Sequence, residues 1–370
     1  MPRSPARGRV STRRKRREGG ATIKEVAARA RLSVATISRV LNGKAESVHP
    51  ATWSRARKAI EDLRYVPHSG ARSLSMNRTN TVGVLLPELH GEFFSEVIRG
   101  IDLAARAHSY HLVVSGSHND WKEMAAVLSA MRGRVDGLIV MSPDLDSPAA
   151  SDLPDSIPVV LMNSSTERNQ SIVIDNYGGA RAMMKHLIAL GHRRIAFIKG
   201  PRRNADAGER LRGYRNAMSR LGTRDSSVLE IAGDFSEEAG YAAGAALLAP
   251  NTRATAVFAA NDSMAIGVLC ALREAGISVP RQMAVVGFDG IPAGRYVNPA
   301  LTTVSVAIAE LGRRAFDSVV NLVETKKKSE HRRQILPTEL VIRDSCGASR
   351  TTEGTLLRTP TPSAAFAGGY

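Results

Sequence analysis

Strand-like and helix-like runs alternate along residues 81–288, and this alternation constrains the fold more than any other feature of the chain. The strand-like runs are short and rich in Val, Ile and Ala, as in Thr81–Leu86, and longer amphipathic runs stand between them. Repeated βα units of this kind predict parallel sheets covered by helices on both faces. Because the region is longer than one open sheet usually holds, we expect an α/β body of two subdomains.

Residues 21–67 carry a different pattern, that of three short amphipathic helices. Thr22 and Glu25 form a capping box that predicts the start of a first helix. Ser33 is a candidate N-cap for a second helix, and Pro50 is a candidate first residue of a third. Two short helices joined by a tight turn, with a third packed across them, are typical of an all-α helix-turn-helix domain.

The positive charge of the chain is concentrated in this N-terminal part. Residues 1–80 hold 19 Lys and Arg against 5 Asp and Glu, a balance of +14, whereas the whole chain has a formal charge of +16. Only +2 therefore remains for residues 81–370. A strongly basic small domain attached to a nearly neutral body predicts binding of a polyanion, and with a helix-turn-helix the partner we expect is double-stranded DNA.

Cysteine usage and hydropathy argue against export and membrane insertion. Two cysteines, Cys270 and Cys346, are too few for a disulfide framework, which favours a reducing, cytoplasmic compartment. The Arg-rich start lacks the apolar segment of a signal peptide, and no uncharged apolar run reaches the length of about 18 residues that a membrane span needs. We therefore expect no membrane partner.

Catalytic motifs are also missing from the sequence. There is no Gly-rich phosphate loop, no nucleophile elbow and no clustered spacing of metal ligands, so we expect no enzymatic activity, no cofactor and no metal site. His108, His111 and His118 are close in sequence but fall on a helix end, a strand and a loop. This placement favours scattered surface histidines.

The second helix of the first domain is the predicted recognition helix, whose N-terminal residues meet base edges in the major groove. Val34 and Ala35 are candidates for contact with thymine methyl groups, and Arg39 is a candidate for a base or phosphate contact. Thr36 and Ser38 are candidate phosphate contacts. The predicted DNA-contacting residues are Thr22, Ser33, Val34, Ala35, Thr36, Ser38, Arg39, Asn42, Ala71, Arg72 and Leu74.

Residues 68–79 form a predicted hinge helix and linker. A helix of about eight residues is too short to be stable alone in water, so we expect it to order when docked. Leu74 has two open interpretations, an apolar wedge in the minor groove or a packing contact with the body. The tails, 1–20 and 347–370, have little to bury and are expected to be disordered, with the first either a DNA-contacting arm or a solubilising start.

Several separated motifs, taken together, carry a resemblance to a known family. They are TIKEVAARARLSVATISRVLNG, YVPHSGARSLSMNRTNTVGVLLP, LGHRRIAFIKGP, AVFAANDSMAIGVL, and VVGFDG with PALTTV downstream. In this order, over residues 21–346, they resemble the lactose/purine repressor family of bacterial transcriptional regulators. The resemblance implies a homodimer whose paired headpieces bind a pseudo-palindromic operator.

The same resemblance implies a body similar to periplasmic sugar-binding proteins, with a small-molecule effector between its two subdomains. We expect this effector-binding domain at 80–346, with an N-subdomain of about 80–177 and 307–334 and a C-subdomain of about 178–306 and 335–346. The predicted effector-binding residues, several of them at strand ends, are Phe93, Phe94, Asn163, Asp206, Arg210, Phe258, Asn261 and Asp289.

Some of these residues have a second interpretation. Arg210 and Asp289 could form an interdomain salt bridge, Asn261 could be a plain helix N-cap, and Phe94 could be a core residue. The residues His90, Gly91 and Glu92 stand where the family often has Asn-Pro before the aromatic pair, and Glu92 offers a further acceptor for a hydroxyl or amine of a ligand.

Two further departures from the family affect the predicted contacts. The loop NGKAESVHPAT is one residue longer than usual and has His49 where Ser is typical, which puts the expected cap and phosphate contact in question. Asn204 replaces the Arg typical of purine-responsive members, and this favours a carbohydrate as the effector.

Two rival functions also fit parts of the chain, a solute-binding protein of a transporter and an α/β enzyme of sugar or nucleotide metabolism. Neither explains the basic first 80 residues. The C-terminal segment lacks the leucine heptad that some members use to form tetramers, so we expect a dimer.

Overall fold

The computed structural model describes residues 21–41, 47–65, 78–118, 120–141, 153–154, 156–166, 168–221, 229–249, 252–326 and 332–348. The chain divides into two compact units, Met1–Thr79 and Asn80–Tyr370. Several predictions lie outside the described residues. They concern the tail at 1–20, Asn42, the hinge residues Ala71, Arg72 and Leu74, and the residues after Ala348.

The described part of the first unit, called the headpiece here, contains three helices: α1 Ile23–Ala30, α2 Val34–Leu41 and α3 Pro50–Asp62. The predicted capping box forms at the start of α1. The Thr22 amide donates to Glu25 Oε2 at 2.7 Å, and the Glu25 amide donates to Thr22 Oγ1 at 3.3 Å. Because both orphan amides are satisfied within four residues, the sequence alone specifies where this helix begins.

A small apolar core holds the three helices together. Val26 and Ala30 of α1, Ile37 of α2 and Ala56 of α3 are all buried. An ion pair between Arg29 and Asp62, 2.8 Å long, joins α1 to the end of α3 at the surface. The core therefore fixes the face of α2 that remains available for a partner.

The second unit, the body, is built from alternating strands and helices. In chain order its elements are β1 Thr81–Leu86, α4 Glu92–Ala107, β2 His111–Gly116, α5 Trp121–Met131, β3 Gly137–Met141, β4 Val159–Met162, β5 Gln170–Ile174, α6 Asn176–Ala189, β6 Ile195–Ile198, α7 Ala205–Arg220, β7 Leu229–Ile231, α8 Glu237–Ala246, β8 Ala256–Ala259, α9 Asp262–Glu274, β9 Ala284–Asp289, a 3-10 turn Pro292–Arg295, β10 Thr302–Val306, α10 Ile308–Thr325, β11 Arg333–Leu336, β12 Thr338–Val341 and a 3-10 turn Asp344–Cys346.

These strands form two six-stranded sheets, one in each lobe of the body. The N-lobe sheet has the order β11-β5-β4-β3-β1-β2 and is parallel throughout, whereas the C-lobe sheet has the order β12-β10-β9-β8-β6-β7. The predicted α/β class with two parallel-sheet subdomains is confirmed. The exception is β12, which pairs antiparallel with β10 at the edge of the C-lobe sheet.

The chain crosses between the lobes three times, at Asp175, Ala307 and Pro337. The last crossing differs from the expected boundary near residue 334, because β11 pairs with β5 and so belongs to the N-lobe. Only Pro337 separates β11 from β12, so the chain passes from an edge strand of the N-lobe sheet directly into an edge strand of the C-lobe sheet.

Candidate functional site

Helix α2 presents the side chains expected of a recognition helix. Val34 is 41% exposed, and Ala35 and Arg39 are exposed, whereas Thr36 and Ser38 are half-buried. Their contacts with DNA stay predictions, but the outward face is the one that the apolar pattern indicated.

The turn before α2 is held by its own side chains. Ser33 Oγ accepts from the Thr36 amide at 3.1 Å, and the two hydroxyl oxygens lie 2.8 Å apart. The predicted cap is confirmed. Since Thr36 contributes to this cap, its substitution would disturb the start of α2 as well as any phosphate contact.

His49 supplies the cap that its replacement of Ser put in question. Its Nδ1 accepts from the Ala51 amide at 3.4 Å, directly before Pro50 begins α3. The distance is long for a hydrogen bond, so the cap is weaker than a serine cap would be.

In the body, loops at the carboxyl ends of both sheets meet across a cleft. Glu92 follows β1 of the N-lobe, and Ala293 follows β9 of the C-lobe. The Ala293 amide donates to Glu92 Oε2 at 2.9 Å, a hydrogen bond between the two lobes. Glu92 therefore joins the lobes in this structure, where the sequence had indicated an acceptor for a ligand. Ligands of open α/β sheets bind at such carboxyl edges.

Arg210 is the centre of the polar cluster on the C-lobe side of the cleft. It is 3% exposed, and its Nη1 lies 2.9 Å from Asp289 Oδ1. Its Nε donates to Asn176 Oδ1 at 2.8 Å and its Nη1 donates to the Ala260 carbonyl at 2.6 Å. The guanidinium carbon lies 3.9 Å from the centre of the Phe288 ring. Arg210 and Asp289 belong to the same lobe, so the alternative of an interdomain salt bridge is wrong.

Asn176 and Asp206 extend the cluster. The Asn176 side-chain amide donates to Asp206 Oδ1 at 2.7 Å while its carbonyl oxygen accepts from Arg210. Asp206 lies one turn before Arg210 on α7, so the sequence spacing places both on one face of the helix. Asn176 is 3% exposed and begins α6, directly after the first crossing between the lobes.

The electrostatics of the cluster are dominated by buried carboxyl groups. Burial raises the pKa of Asp289 to about 6, while the charge of Arg210 opposes this rise. Burial also raises the pKa of Asp206, again opposed by Arg210. Both carboxyl groups consequently gain a proton at a higher pH than exposed carboxyl groups do.

Asp262 is a third acidic residue near this cluster, and it holds the loop after β9. It is fully buried, and its Oδ2 accepts from the amides of Gly290 and Ile291 at 2.8 and 2.9 Å. The hydroxyl of Thr303 donates to its other oxygen at 2.6 Å. Asp262 therefore fixes the backbone that carries Asp289, which has a positive φ of 109°.

The structure does not place all predicted effector residues at the cleft. Phe258 is fully buried, and its ring packs edge to face on Phe197 with centroids 5.2 Å apart, so it is a core residue of the C-lobe and the prediction of an effector contact is wrong here. Asn261 caps α9, with Oδ1 accepting from the Met264 amide at 3.0 Å and Nδ2 donating to the Phe235 carbonyl at 2.9 Å. Both polar ends of Asn261 are thus occupied.

Other predicted residues keep surface or acceptor atoms available. Phe93 and Phe94 are half-buried at the start of α4, with ring centroids 5.5 Å apart. Asn163 follows β4 with a positive φ of 56°, and its Oδ1 is buried without a hydrogen-bond partner among the described residues. A buried, unsatisfied acceptor in a strained backbone is a common property of ligand sites.

Three contributors to the site were missing from the sequence prediction. Asn176 and Phe288 contact Arg210 directly, and the ring of Phe235 has its centre 5.8 Å from the guanidinium carbon. Asn176 carried a usable signal, since it is a polar residue two positions after a buried strand. The two aromatic residues did not, because Phe residues on or after apolar runs are usually core residues.

Comparison with known proteins agrees with both units. Residues 22–68 match the family described as bacterial regulatory proteins, lacI family, and residues 184–346 match the periplasmic binding protein-like domain. The HTH-type transcriptional repressor PurR of Edwardsiella ictaluri is 36% identical over 323 residues, covering 86% of this chain and 94% of that protein. The ribose operon repressor of Escherichia coli K12 is 35% identical over 323 residues, covering 86% and 97%.

Solved structures show the same arrangement of elements. The Lac repressor dimer bound to operator and the anti-inducer ONPF has a TM-score of 0.80 and 28% identity, and the match covers 89% of this chain and 100% of that chain. A complex of the transcriptional regulator CelR with cellobiose has a TM-score of 0.65 and 32% identity, and that match covers 88% and 99%.

A helix-turn-helix headpiece on a two-lobed body of the periplasmic-binding type defines a class of DNA-binding transcription regulators. The chain belongs to the LacI family of bacterial regulatory proteins, and it is a DNA-binding transcriptional repressor. Its relatives are repressors and not enzymes, so the rival interpretation as a metabolic enzyme is wrong. Among the described helices, none is long and apolar enough to cross a membrane.

Proposed function

We propose that this repressor binds a pseudo-palindromic operator as a cytoplasmic homodimer and that a neutral sugar in the cleft of the body controls its affinity for DNA. Sugar binding selects one arrangement of the lobes, and that arrangement fits the operator less well. The sugar therefore acts as an inducer. A coupling of this kind is typically about 1 to 3 kcal/mol, which changes the affinity for DNA about 5- to 150-fold.

The observation that carries the proposal is the buried polar cluster at the carboxyl ends of the strands. Asp289, Asp206 and Asn163 offer carboxylate and amide oxygens, and Asn163 Oδ1 lacks a hydrogen-bond partner among the described residues. The half-buried rings of Phe93 and Phe94 offer apolar faces at the start of α4, which follows β1 in the N-lobe. Small-molecule sites are commonly lined by a few polar groups together with aromatic side chains. The hydroxyl groups of a sugar can donate hydrogen bonds to these carboxylate and amide oxygens.

The charge of the cluster favours a neutral ligand over a phosphorylated one. Arg210 is its buried cation, and its hydrogen bonds and its ion pair are already made within the protein, to Asn176, Ala260 and Asp289. A phosphate group beside Asp206 and Asp289 would face carboxylates instead of a free cation. Asn204 stands where a purine-responsive member has Arg and is uncharged, so it adds no cation there, and its Oδ1 accepts from the Ala207 amide at the start of α7.

Exposed apolar side chains support a homodimer. On the N-lobe, Leu103, Val113 and Trp121 are 51%, 44% and 50% exposed, and Val113 lies on the edge strand β2. On the C-lobe, Tyr296 is 80% exposed. Large exposed apolar side chains are available to both lobes for self-association, and two-fold pairing matches a palindromic site. Sedimentation of the full chain as a tetramer or a monomer at micromolar concentration would contradict the dimer.

The effector proposal is tested by titrating the full chain with ribose, cellobiose and guanine. We expect a sugar to raise the melting temperature and to weaken binding to an operator duplex, because a ligand that binds only the folded state stabilises it. Asp289→Asn removes the charged acceptor and should reduce sugar affinity. The control Glu209→Gln changes an exposed carboxylate on the same lobe and should leave sugar affinity unchanged.

If guanine binds and the sugars do not, the sugar assignment is wrong although ligand control remains. If no sugar, phosphosugar or nucleobase changes the affinity for DNA, ligand control itself loses its support.

The DNA proposal is tested by selecting duplexes from a random library with the full chain and with two variants. Ala35→Gln on α2 should change the preferred half-site, because it alters a side chain at the expected base edges. Arg57→Gln lies on α3, where Arg57 pairs with Glu61 at 3.7 Å, and should leave the preference unchanged. Failure of the unaltered chain to enrich any duplex over random competitor would overturn the proposed operator binding.

A further inference from the structure

A second cavity lies on the C-lobe between helices α6 and α7, apart from the cluster around Arg210. The two helices touch at Gly213, where an added Cβ would lie 2.7 Å from the Cβ of Ala180. One to two turns further along both helices, their side chains line a cavity of about 530 Å³. This volume is in the range of about 300 to 1,000 Å³ that small-molecule sites occupy.

Three cations line this cavity: Arg181 and Lys185 from α6, and Arg220 from α7. Their spacing along the helices, three to four residues, turns the two cations of α6 to the same face. Within the described part of the chain, none of the three has a carboxylate within ion-pair distance. Arg181 makes a cation–π interaction with Tyr177, its guanidinium carbon lying 5.5 Å from the centre of the ring.

Other arginines of α7 behave differently, which makes the unpaired set distinctive. Arg212 pairs with Glu209 at 2.5 Å, and Arg215 forms a two-pronged pair with Glu230 at 2.6 and 2.7 Å. The unpaired cations therefore do not reflect a general shortage of acidic partners on this helix. Arg220 of α7 and the two cations of α6 all line the cavity.

The remaining lining residues are apolar or uncharged. Ile188, Ala217 and Leu221 form an apolar wall and are only half-buried, and Asn216 adds an amide that can donate and accept. No carboxylate lines the cavity in the part of the chain that is described. A ligand that satisfies both surfaces carries a compact negative charge at one end and a carbon skeleton at the other.

We propose that this cavity binds a phosphorylated small metabolite, with the phosphate held by Arg181, Lys185 and Arg220 and the carbon skeleton against the apolar wall. A phosphate monoester is a dianion near neutral pH, and guanidinium and ammonium groups form charge-assisted hydrogen bonds with its oxygens. The site and the cleft then select opposite ligands, since the cleft holds carboxylates and this cavity holds cations. The proposal is independent of the identity of the cleft effector.

The test uses the full-length chain with ribose 5-phosphate, ribose and inorganic phosphate as probes, measured by calorimetry at low and moderate salt. We expect ribose 5-phosphate to bind more tightly than inorganic phosphate, and its affinity to fall as salt rises. The double variant Lys185→Gln/Arg220→Gln should weaken ribose 5-phosphate about tenfold or more. Both side chains are exposed, so the variant should fold normally.

The matched control is Arg215→Gln, which removes a paired, exposed cation from the same helix and should leave the affinity for ribose 5-phosphate unchanged. Equal binding by the double variant and the unaltered chain would overturn the proposal, as would the absence of binding. Binding of inorganic phosphate as tightly as ribose 5-phosphate would indicate an adventitious ion only. Ribose that binds equally to all variants reports on the cleft and does not support this site.

Discussion

Replacing Arg210 by Met removes the charge at the centre of the cleft cluster but keeps a long side chain. The variant loses the two hydrogen bonds to Asn176 and Ala260 and the ion pair with Asp289. Asp289 is only 5% exposed, so its carboxylate would be left without a counter-ion in a buried position. Breaking a buried ion pair on one side typically costs about 3 to 5 kcal/mol, and we expect a loss of unfolding free energy of this size.

The helix α7 offers a matched control in Arg215→Met. Arg215 also pairs with a carboxylate, Glu230, but its side chain is 58% exposed. Exposed ion pairs contribute about 0 to 1 kcal/mol, so this variant should be nearly as stable as the unaltered chain. The double variant Arg210→Met/Asp289→Leu should regain much of the lost stability, because no buried charge is left unpaired.

The measurement is urea unfolding at pH 7.5 and pH 5, followed by two spectroscopic probes to check that the body unfolds in one transition. Without Arg210, the pKa of Asp289 rises further, so the carboxyl group takes up a proton more readily. A neutral carboxyl group costs less to bury, and the destabilisation by Arg210→Met should therefore be smaller at pH 5 than at pH 7.5. Similar losses of unfolding free energy for Arg210→Met and Arg215→Met at pH 7.5 would refute this reasoning.

Three further predictions concern packing, pH and the hydrogen bond between the lobes. A Cβ at Gly267 on α9 would overlap the backbone of α8, so Gly267→Ala should lower the melting temperature. The control is Gly208→Ala, whose added Cβ has no atom within 4 Å and which should leave the melting temperature unchanged or raise it. Burial raises the pKa of Asp289 to about 6, and protonation removes the charged acceptor. Sugar affinity, measured by calorimetry, should therefore fall by about tenfold per pH unit below that pKa. A sugar affinity that stays constant between pH 7.5 and pH 5 would contradict this. Glu92→Ala removes the exposed hydrogen bond between the lobes to Ala293. It should lower sugar affinity about three- to tenfold with little loss of global stability. Unchanged sugar affinity would show that this hydrogen bond does not favour lobe closure.

Prediction succeeded where the determining contacts are local in sequence. The capping box joins Thr22 to Glu25, and the cap of α2 joins Ser33 to Thr36. Each contact spans three residues, so the residue types are sufficient to specify the helix start. The apolar spacing within α2 likewise predicted its outward face.

The C-terminal part of the body, from β10 onward, was predicted less completely. The elements β10, α10, β11 and β12 follow the last strand that we predicted. Helix α10 carries a clear helical period in its apolar residues, so its sequence alone is sufficient to predict it. The strand β12 is a different case, because its antiparallel pairing depends on the distant strand β10 and not on its own residues.

The sequence by itself determined the two-part organisation of this repressor: a basic helix-turn-helix unit followed by βα repeats, both of which arise from charge and periodicity along the chain. Only the tertiary structure decided which polar side chains meet. Asn176 reaches Arg210 across 34 residues and Arg210 reaches the Ala260 carbonyl across 50. Similarly, Phe288 stacks under Arg210 while Phe258 stays in the core. The physical reason is that such contacts depend on strand order and helix packing, which combine distant parts of the chain and leave no local pattern.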